Sequence, residues 1–490
     1  MAAIVSSIPA FRPLPGARPK LRVAHGRLAP PPRALRRVLV PPGSVTVTTG
    51  GASAMASALF RASASGVGGQ AVASPVSDCF TYTRGRPADA PAAATVMFDN
   101  VTVSNAPASG ACTTGIVFEH HGPALELVFS GTFNHFLVKI DDHYVSFTPT
   151  ATGAGGTTLF YKLDFGGVAR WRRVEVYGGV LAFDGVKIGP TDTIRPARVR
   201  GPRAIILGDS FTAFGCSATG AGIGLAVSDA LGWDDVWNSG VGGSGYLATD
   251  GGAVPTFRER VSRDVIAAKP EVVLVFGGVN DSASAAAVGA EATLLFEQIR
   301  RALPGVLLLA APTFSGGVNK AGFMTALAVK NAVKAACLAA GGLYLDLLEM
   351  PLPPGYAIPS GATVNPKAGG VSGAATGADQ LLVDFVPQPG SHLDIDGTER
   401  VQVKSFNVVA PGVFGLQFDG STRLAHAHGE PARMVGPCFW TGTGRAGATT
   451  GFGNSDLFVD TDGVHPTHDL GFRALGYALA DLLLDALAPN

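Results

Sequence analysis

A serine on the turn after a short apolar run is the residue in this chain best placed for covalent chemistry. The run at residues 204–207 leads into Gly208, Asp209 and Ser210. A serine on a tight turn between a strand and a helix has an exposed hydroxyl, and the amide hydrogens at the start of the helix lie beside it. This setting favours a nucleophile.

Two glycine-containing loops carry groups that could stabilise negative charge. The loop at residues 240–245, GVGGSG, follows a predicted strand, and Asn280 lies in GGVND after another. The first loop matches G-x-G-x-x-G, but it follows the second strand of the unit and lacks the acidic residue that a dinucleotide site needs about twenty positions later. Its glycines instead let amide hydrogens approach an oxyanion, toward which Asn280 can aim its side-chain amide.

An aspartate and a histidine near the C-terminus could complete a proton-transfer system. In DTDGVHP, at residues 460–466, Asp462 precedes His465 by three positions. The carboxylate can hold the tautomer of the imidazole while the other ring nitrogen faces a serine. Asp460 stays an alternative to Asp462, whereas His468 is better interpreted as part of the start of the last helix.

The elements that position these groups alternate between strand and helix, which predicts a parallel α/β sheet. Strands are predicted over residues 204–207, 236–238, 272–276, 306–310 and 343–347, and helices over residues 291–302, 323–340 and 467–487. Open α/β sheets bind ligands beyond the carboxyl ends of their strands. The serine and both loops follow strands, so we expect them to meet at that edge.

Four regions are predicted along the chain. Residues 1–77 carry nine Arg and Lys and no Asp or Glu, which suggests an extended leader or attachment arm; residues 78–200 show short alternating runs typical of an antiparallel β-sandwich. Residues 201–350 with 456–490 form the α/β unit, and residues 351–455 form a β-rich insertion. In the insertion, Phe439 and Trp440 could stack on a sugar or cap a small core.

Composition excludes several classes of function. The formal net charge of the 490 residues is zero, so no global attraction to nucleic acid is expected, and no run approaches the roughly 18 apolar residues of a membrane span. The five cysteines form no C-x-x-C pair, and no phosphate-binding G-x-x-x-x-G-K-[ST] occurs. His426 and His428 alternate without nearby cysteine or carboxylate partners. We therefore expect no metal and no cofactor.

The four blocks and their order resemble the SGNH/GDSL hydrolase family, whose signatures are a GDS serine, a glycine, a G-x-N-D asparagine and a D-x-x-H pair. The resemblance covers about residues 203–350 and 456–487 and implies a flavodoxin-like sheet flanked by helices on both faces. It implies Ser210 as nucleophile, His465 as general base and acid, and Asp462 as the carboxylate that orients His465.

The same resemblance implies an oxyanion hole and shows where this chain departs from the family. The donors would be the amides of Ser210 and Gly243 and the side chain of Asn280, with Gly242 as the alternative glycine. Phe211 replaces the usual leucine after the serine, and the following glycine is displaced to position 215. These departures lie at the mouth of the site.

A sandwich followed by a GDS strand is similar to the arrangement in carbohydrate esterases of family two and related bacterial O-deacetylases. It implies a jelly-roll-like sandwich and an acetylated carbohydrate, or another small ester, as substrate. A lipase or broad esterase for longer acyl chains is the alternative enzyme. A non-catalytic glycan-binding surface or phage virion protein is the alternative of another class.

Location and assembly stay open in the sequence. The N-terminus is a poor secretory signal, yet the acid-free leader, together with residues 422–429, which resemble a β element of phage tail proteins, favours an extracellular or virion-associated protein. Attachment through the N-terminal segment or a homo-oligomer would be compatible with this composition.

Overall fold

A computed structural model gives the fold of most of the chain. It describes residues 39–56, 59–61, 79–89, 96–99, 114–179, 181–214, 216–217, 220–313, 323–347, 380–383, 392–395, 399–410, 413–418, 422, 424–427, 429–435, 460, 462, 464–468 and 470–487. Residues 1–38 of the predicted leader, His428, Phe439 and Trp440 lie outside the described residues. No helix in the described part of the chain is long and apolar enough to span a membrane.

The described residues form strands and helices in the following order. The strands are β1 (Thr46–Gly50), β2 (Leu59–Arg61), β3 (Thr81–Thr83), β4 (Arg86–Asp89), β5 (Val96–Asp99), β6 (Thr114–Gly122), β7 (Ala124–Ser130), β8 (His135–Ile140), β9 (His143–Tyr144), β10 (Thr150–Ala151), β11 (Thr158–Asp164), β12 (Arg170–Gly178), β13 (Ala182–Ile188), β14 (Thr193–Pro196), β15 (Ala204–Gly208), β16 (Cys216–Ser217), β17 (Gly220–Ala221), β18 (Val236–Gly240), β19 (Val272–Gly277), β20 (Leu307–Pro312), β21 (Leu343–Tyr344), β22 (Gln380–Val383), β23 (His392–Ile395), β24 (Glu399–Ala410), β25 (Val413–Phe418) and β26 (Ala432–Val435). The helices are α1 (Ser210–Ala213), α2 (Ile223–Leu231), α3 (Phe257–Asp264), α4 (Ala285–Ala302), α5 (Phe323–Ala339) and α6 (Leu470–Leu487), with short 3₁₀ turns at Asp250–Gly252 and Ile266–Ala268.

The N-terminal half consists of two antiparallel sheets that enclose one apolar core. One sheet has the order β1-β11-β7-β13-β5-β4, with β2 also paired to β13; the other has the order β10-β8-β12-β6-β14, with β3 paired to β6 and β9 to β8. Alternate residues of β7, namely Leu125, Leu127 and Phe129, join Val174 and Val176 of the other sheet in this core. The jelly-roll arrangement of the strands stays a prediction.

The predicted boundary of the leader at residue 77 is wrong. Strand β1 pairs with β11, so that Thr46 lies opposite Asp164, and β2 pairs with β13. Every residue of β1 is exposed, because this strand lies at the edge of its sheet. An exposed strand carries no alternation of apolar and polar residues, which is the signal that sequence analysis depends on. The sheet therefore begins before the predicted sandwich.

The α/β unit has the predicted parallel sheet and three layers. Its strand order is β18-β15-β19-β20-β21, the 2-1-3-4-5 order of flavodoxin-like sheets. Ile206 of β15 faces the core that contains α2 and α6, while Ile205 and Leu207 face the core that contains α3, α4 and α5. Burial on both faces explains why the strands are continuous apolar runs in the sequence.

Two helix starts differ from the prediction. Helix α4 begins at Ala285 instead of residue 291, because the Ser284 side chain accepts a hydrogen bond from the Ala287 amide and caps the helix there. Its first turns are rich in alanine, which gives little apolar periodicity. Helix α6 begins at Leu470, and the hydroxyl of Thr467 accepts a hydrogen bond from the amide of Gly471.

The region predicted as an insertion contains a five-stranded antiparallel sheet, β22-β25-β24-β23-β26, with an apolar core of its own. Beside this sheet, His426 contacts two carboxylates: Nε2 lies 2.8 Å from Glu399 and Nδ1 lies 2.9 Å from Glu430. The prediction that His426 lacks carboxylate partners is wrong. Glu399 is far away in sequence and reaches the histidine only through the fold.

Candidate active site

The turn after β15 presents Ser210 at the carboxyl end of the sheet. Asp209 caps helix α1, and its Oδ1 accepts a hydrogen bond of 2.9 Å from the amide of Phe211. Ser210 is the first residue of the helix and is half-buried, whereas Asp209 and Phe211 are buried. The aspartate therefore fixes the backbone on both sides of the serine and leaves the serine hydroxyl accessible.

The C-terminal loop before α6 brings His465 to this serine. His465 Nε2 lies 2.7 Å from Ser210 Oγ, and its Nδ1 contacts Asp462 Oδ2. The other carboxylate oxygen of Asp462 accepts hydrogen bonds from the amides of Val464 and His465, at 2.8 Å and 2.9 Å. Burial alone would raise the pKa of Asp462, but these hydrogen bonds hold it below its ordinary value. A charged carboxylate thus faces Nδ1.

Asp460 and His468, the other candidates in this loop, line the same cavity. The Asp460 amide donates to the His465 carbonyl at 2.8 Å, and the carboxylate in contact with the His465 ring is that of Asp462. His468 lies before the first residue of α6 and stacks on Phe214, with 3.9 Å between the ring centres. The carbonyl of Thr467 accepts a hydrogen bond from the Gly471 amide at 3.0 Å, so His468 lies at the start of this helix as predicted, and its ring also lies against the mouth of the site.

The glycine loop after β18 forms a turn next to the serine. The Ser244 amide donates to the Val241 carbonyl at 3.2 Å, and Gly243 has φ of +75°. Such a turn needs a positive φ at its third residue, which glycine adopts without strain. A Cβ atom built on Gly242 would lie 3.9 Å from Ser210 Cβ. The peptide between Gly242 and Gly243 therefore borders the turn that carries Ser210.

The loop after β19 is tied to the glycine loop by side chains. Asn280 Nδ2 donates to the Ser244 carbonyl at 3.0 Å, which holds the amide in one orientation and leaves its second hydrogen for another acceptor. Asp281 accepts hydrogen bonds from the amides of Tyr246, Leu247 and Ala248, between 2.8 Å and 3.0 Å. Burial raises the pKa of Asp281 against these hydrogen bonds. The two loops therefore hold a fixed spacing.

Two residues under the site were missed by sequence analysis. Arg260 of α3 is 1% exposed and donates to the carbonyls of Gly208 and Ser239, which lie in the last residues of two neighbouring strands. Thr313 follows β20 and donates from Oγ1 to Asp209 Oδ2 at 2.6 Å. Thr313 could have been found, since it follows a predicted strand as the other site residues do. Arg260 has the sequence appearance of a solvent-exposed charge on a helix.

A cavity of about 260 Å³ opens beside the serine. Its lining residues are Ser210, Ala213, Phe214, Asp460, Asp462, His465, His468 and Phe472. The Phe214 ring is parallel to that of Phe472, with 5.3 Å between the ring centres. The departure from the family pattern after the serine thus places an aromatic side chain in this cavity; Gly215 itself lies outside the described residues. Among the described residues, no three His, Cys, Asp or Glu side chains cluster as metal ligands would.

One family model matches part of the chain. Residues 206–385 match the model of the GDSL-like lipase/acylhydrolase family. This segment is similar to that family. The match confirms the resemblance predicted from the sequence and includes Ser210 and Asn280, but it ends before Asp462 and His465. The fold alone brings this last pair back to the serine. No curated protein matches the chain at a significant level.

Similar solved structures are distant. A family two carbohydrate esterase from Clostridium thermocellum, in complex with cellohexaose, is 17% identical with a TM-score of 0.41, and the match covers 54% of this chain and 87% of the esterase. A family two carbohydrate esterase from Cellvibrio japonicus is 13% identical with a TM-score of 0.42, covering 62% and 89%. A salicylyl-acyltransferase from a tetracycline biosynthetic pathway is 15% identical with a TM-score of 0.43, covering 56% and 84%.

Proposed function

We propose that this GDSL-type acylhydrolase is a serine carboxylic ester hydrolase that removes O-acetyl groups from a polysaccharide. The observation that supports the proposal is the continuous line of contacts from Asp462 through His465 to Ser210. A hydroxyl, an imidazole and a carboxylate in this order are what a covalent acyl-transfer mechanism needs. None of these steps requires a cofactor or a metal ion.

In this mechanism Ser210 Oγ attacks the carbonyl carbon of the ester while His465 Nε2 takes the hydroxyl proton. The tetrahedral intermediate collapses, the bond to the alcohol breaks, and His465 returns the proton to the leaving alcohol oxygen. Water then attacks the acyl-serine with His465 as the base, and the carboxylic acid and free Ser210 are released. Asp462 stabilises the imidazolium that forms twice in this cycle.

The oxyanion hole in this proposal consists of the amides of Ser210 and Gly243 and the side chain of Asn280. Gly243 is supported by the approach of Gly242 to the serine, since the Gly243 nitrogen is bonded to the Gly242 carbonyl carbon. Asn280 is supported by its hydrogen bond to Ser244, which leaves one amide hydrogen for the oxyanion. Donors fixed before the reaction stabilise the charge without reorganising.

The substrate is inferred from the order of the units and the size of the cavity. A sandwich that precedes a GDS strand is similar to the arrangement in carbohydrate esterases of family two. The cavity beside Ser210 is small, open and lined by both aromatic and polar side chains. Aromatic faces and hydrogen-bonding groups together suit a sugar, which has apolar C–H faces and polar hydroxyls.

Replacing the nucleophile tests the mechanism. Ser210→Ala should lower kcat for p-nitrophenyl acetate and for acetate release from acetylated polysaccharides by about 10⁴-fold or more, because the acyl-enzyme cannot form. Labelling by a fluorophosphonate should disappear in the same variant. Ser282→Ala is the matched control, since Ser282 is exposed on the loop that follows Asn280. An active Ser210→Ala protein would exclude the mechanism, and an unlabelled wild type would favour a non-catalytic protein.

The length of the acyl chain separates the proposed acetylesterase from a lipase. We expect kcat/KM to be higher for p-nitrophenyl acetate than for the octanoate, because a small site gains little from added methylenes. A clear preference for the octanoate would contradict the substrate part of the proposal and leave the mechanism intact.

A further inference from the structure

A buried hydroxyl connects the nucleophile turn to the loop that carries Asn280. Thr313 Oγ1 donates to Asp209 Oδ2 at 2.6 Å and accepts from the amide of Val279 at 3.1 Å. Asp209 in turn accepts from the amide of Phe211, on the far side of Ser210. The connection therefore runs from the residue before Asn280, through Thr313 and Asp209, to the two residues that flank the serine.

The two side chains in this connection are buried. Asp209 is 0% exposed and Thr313 is 2% exposed. A hydroxyl that accepts from a backbone amide must donate its own hydrogen elsewhere, so the Val279 amide directs the Thr313 hydrogen to Asp209. A hydrogen bond to a charged acceptor in a buried place is stronger than one between neutral groups. The connection is therefore well defined in direction and length.

Asp209 is unusual because it is buried without a basic side chain among the hydrogen-bond partners described above. Burial raises its pKa to about 6, against the hydrogen bonds from Thr313 and Phe211 and the attraction of His465. Other titratable groups that act on it are Asp281, Arg260 and Tyr246. The pKa of Asp209 thus lies only slightly below neutral pH, and the hydrogen bonds that the carboxylate accepts keep it from rising further.

We propose that Thr313 is a positioning residue of the esterase site, which acts through Asp209 to keep the nucleophile turn and the Asn280 loop at catalytic spacing. The inference rests on the proposed function. Thr313 touches neither the substrate nor the reacting atoms. Its hydroxyl keeps Asp209 in the form that accepts both hydrogen bonds, so that the Ser210 amide and the Asn280 side chain face the same oxygen.

The test replaces the Thr313 hydroxyl while keeping the side-chain volume. In Thr313→Val we expect kcat for p-nitrophenyl acetate to fall about tenfold to a hundredfold with KM nearly unchanged, since small misplacements act on the transition state. The acid limb of the pH profile should move to higher pH, because ionised Asp209 loses a donor. Thr313→Ser should restore both properties.

Thr212→Val is the matched control for this test. Thr212 is equally buried and lies two residues from the nucleophile, and within the described residues its hydroxyl has no hydrogen-bond partner. Its kcat and pH profile should stay within about twofold of wild type. Fluorophosphonate titration of active sites corrects kcat for any misfolded fraction.

The outcomes separate this inference from the proposed function. If Ser210→Ala is inactive but Thr313→Val has the kcat and acid limb of the control, the positioning role is wrong and the esterase stands. If Ser210→Ala is active, the proposed function itself fails. Should Thr313→Val not fold, Thr313→Ala removes the donor with a smaller side chain. An Ala variant equal to Thr313→Ser in kcat and acid limb would then overturn the inference.

Discussion

Two buried carboxylates in this protein have opposite surroundings. Glu175 lies between the sandwich and the α/β unit, 3.0 Å from Arg84 and 3.8 Å from Lys139. Burial would raise its pKa, but Lys139, Arg84 and nearby arginines lower it to about 2. Asp209, next to Ser210, accepts hydrogen bonds from a hydroxyl and an amide, and burial raises its pKa to about 6. The difference lies in whether the partner carries a charge.

We relate this difference in partners to the positions of the two carboxylates, one at the interface between the two units and one at the candidate site. At the interface, Lys139 and Tyr144 of the sandwich also reach Asp229 of α2, and Arg84 donates to Ser228. Paired charges there join the two units through buried contacts. At the site, neutral donors fix the geometry of Asp209 but leave part of its desolvation cost without compensation. We infer that the buried charge of Asp209 lowers the stability of the fold and is kept because the proposed reaction needs a fixed turn at Ser210.

The largest expected effect comes from breaking the interface. Glu175→Gln removes the charge that Arg84 and Lys139 share, and the two cations then stay buried with less compensation. We expect a loss of about 3 to 5 kcal/mol in the free energy of unfolding, measured by urea denaturation at pH 7. The first transition should report the sandwich separating from the α/β unit.

An exposed ion pair provides the control for that variant. Glu119 contacts Arg195 at 2.6 Å, but the Arg195 side chain is 56% exposed. Glu119→Gln should therefore cost no more than about 1 kcal/mol. Equal losses in the two variants would mean that burial does not distinguish the interface pair, and the comparison with Asp209 would lose its basis.

A smaller effect with the opposite sign is expected from Asp209→Asn. The folded-state pKa of about 6 lies above the ordinary value of 3.8, so the folded protein binds this proton more tightly than the unfolded chain. Wild-type stability then falls as the pH rises from about 4 to about 6. Above that window the ionised carboxylate costs about 3 kcal/mol, which the asparagine variant avoids.

The measurement is the free energy of unfolding of both proteins at pH 4 and pH 7. Asp209→Asn should gain on wild type at pH 7 and lose that advantage at pH 4. Its esterase activity should fall at the same time, since the hydrogen bond from Thr313 loses a charged acceptor. If the variant were less stable than wild type at pH 7, the hydrogen bonds of Asp209 would offset more of the cost of burying its charge than we expect.

Much of the candidate site could be predicted because its signals are local. Ser210, Asn280 and Asp462 each lie within a recognisable short motif. Strands β15 and β19 are apolar runs of the kind that a buried parallel sheet requires. The order of strands then brings distant motifs to one edge of the sheet. Local pattern and global fold agree in this region.

The parts that sequence analysis missed depend on partners distant in sequence. Thr313 matters through Asp209, 104 positions away, and Glu175 through Arg84, 91 positions away. The residues near Thr313 and near Glu175 in the sequence do not indicate either partner. Strand β1 was missed for another reason, since an exposed edge strand needs no apolar face. Which distant residues become partners in the buried interior is decided by the fold, and the spacing of apolar residues along the sequence does not show it.

His426 extends the comparison to a buried cation between carboxylates and carries the smallest expected effect. Burial would lower its pKa, but hydrogen bonds with Glu399 and Glu430 outweigh burial and raise it above the ordinary value. The stabilisation is complete below the unfolded-state pKa of about 6.5 and is lost as the pH rises through the raised folded-state value. The five-stranded sheet beside it should therefore loosen at alkaline pH.

Hydrogen exchange at several pH values, corrected for the intrinsic rate, tests this expectation. Protection in β23 and β24 should fall as the pH rises above neutral, while β7 in the sandwich serves as the internal control. His426→Gln keeps neutral hydrogen bonds to both carboxylates and should make protection in β24 independent of pH. If that variant retained the pH dependence of wild type, a group other than His426 would cause it. His426 would then resemble Asp209, whose hydrogen-bond donors are neutral, more than Glu175, whose partners are charged.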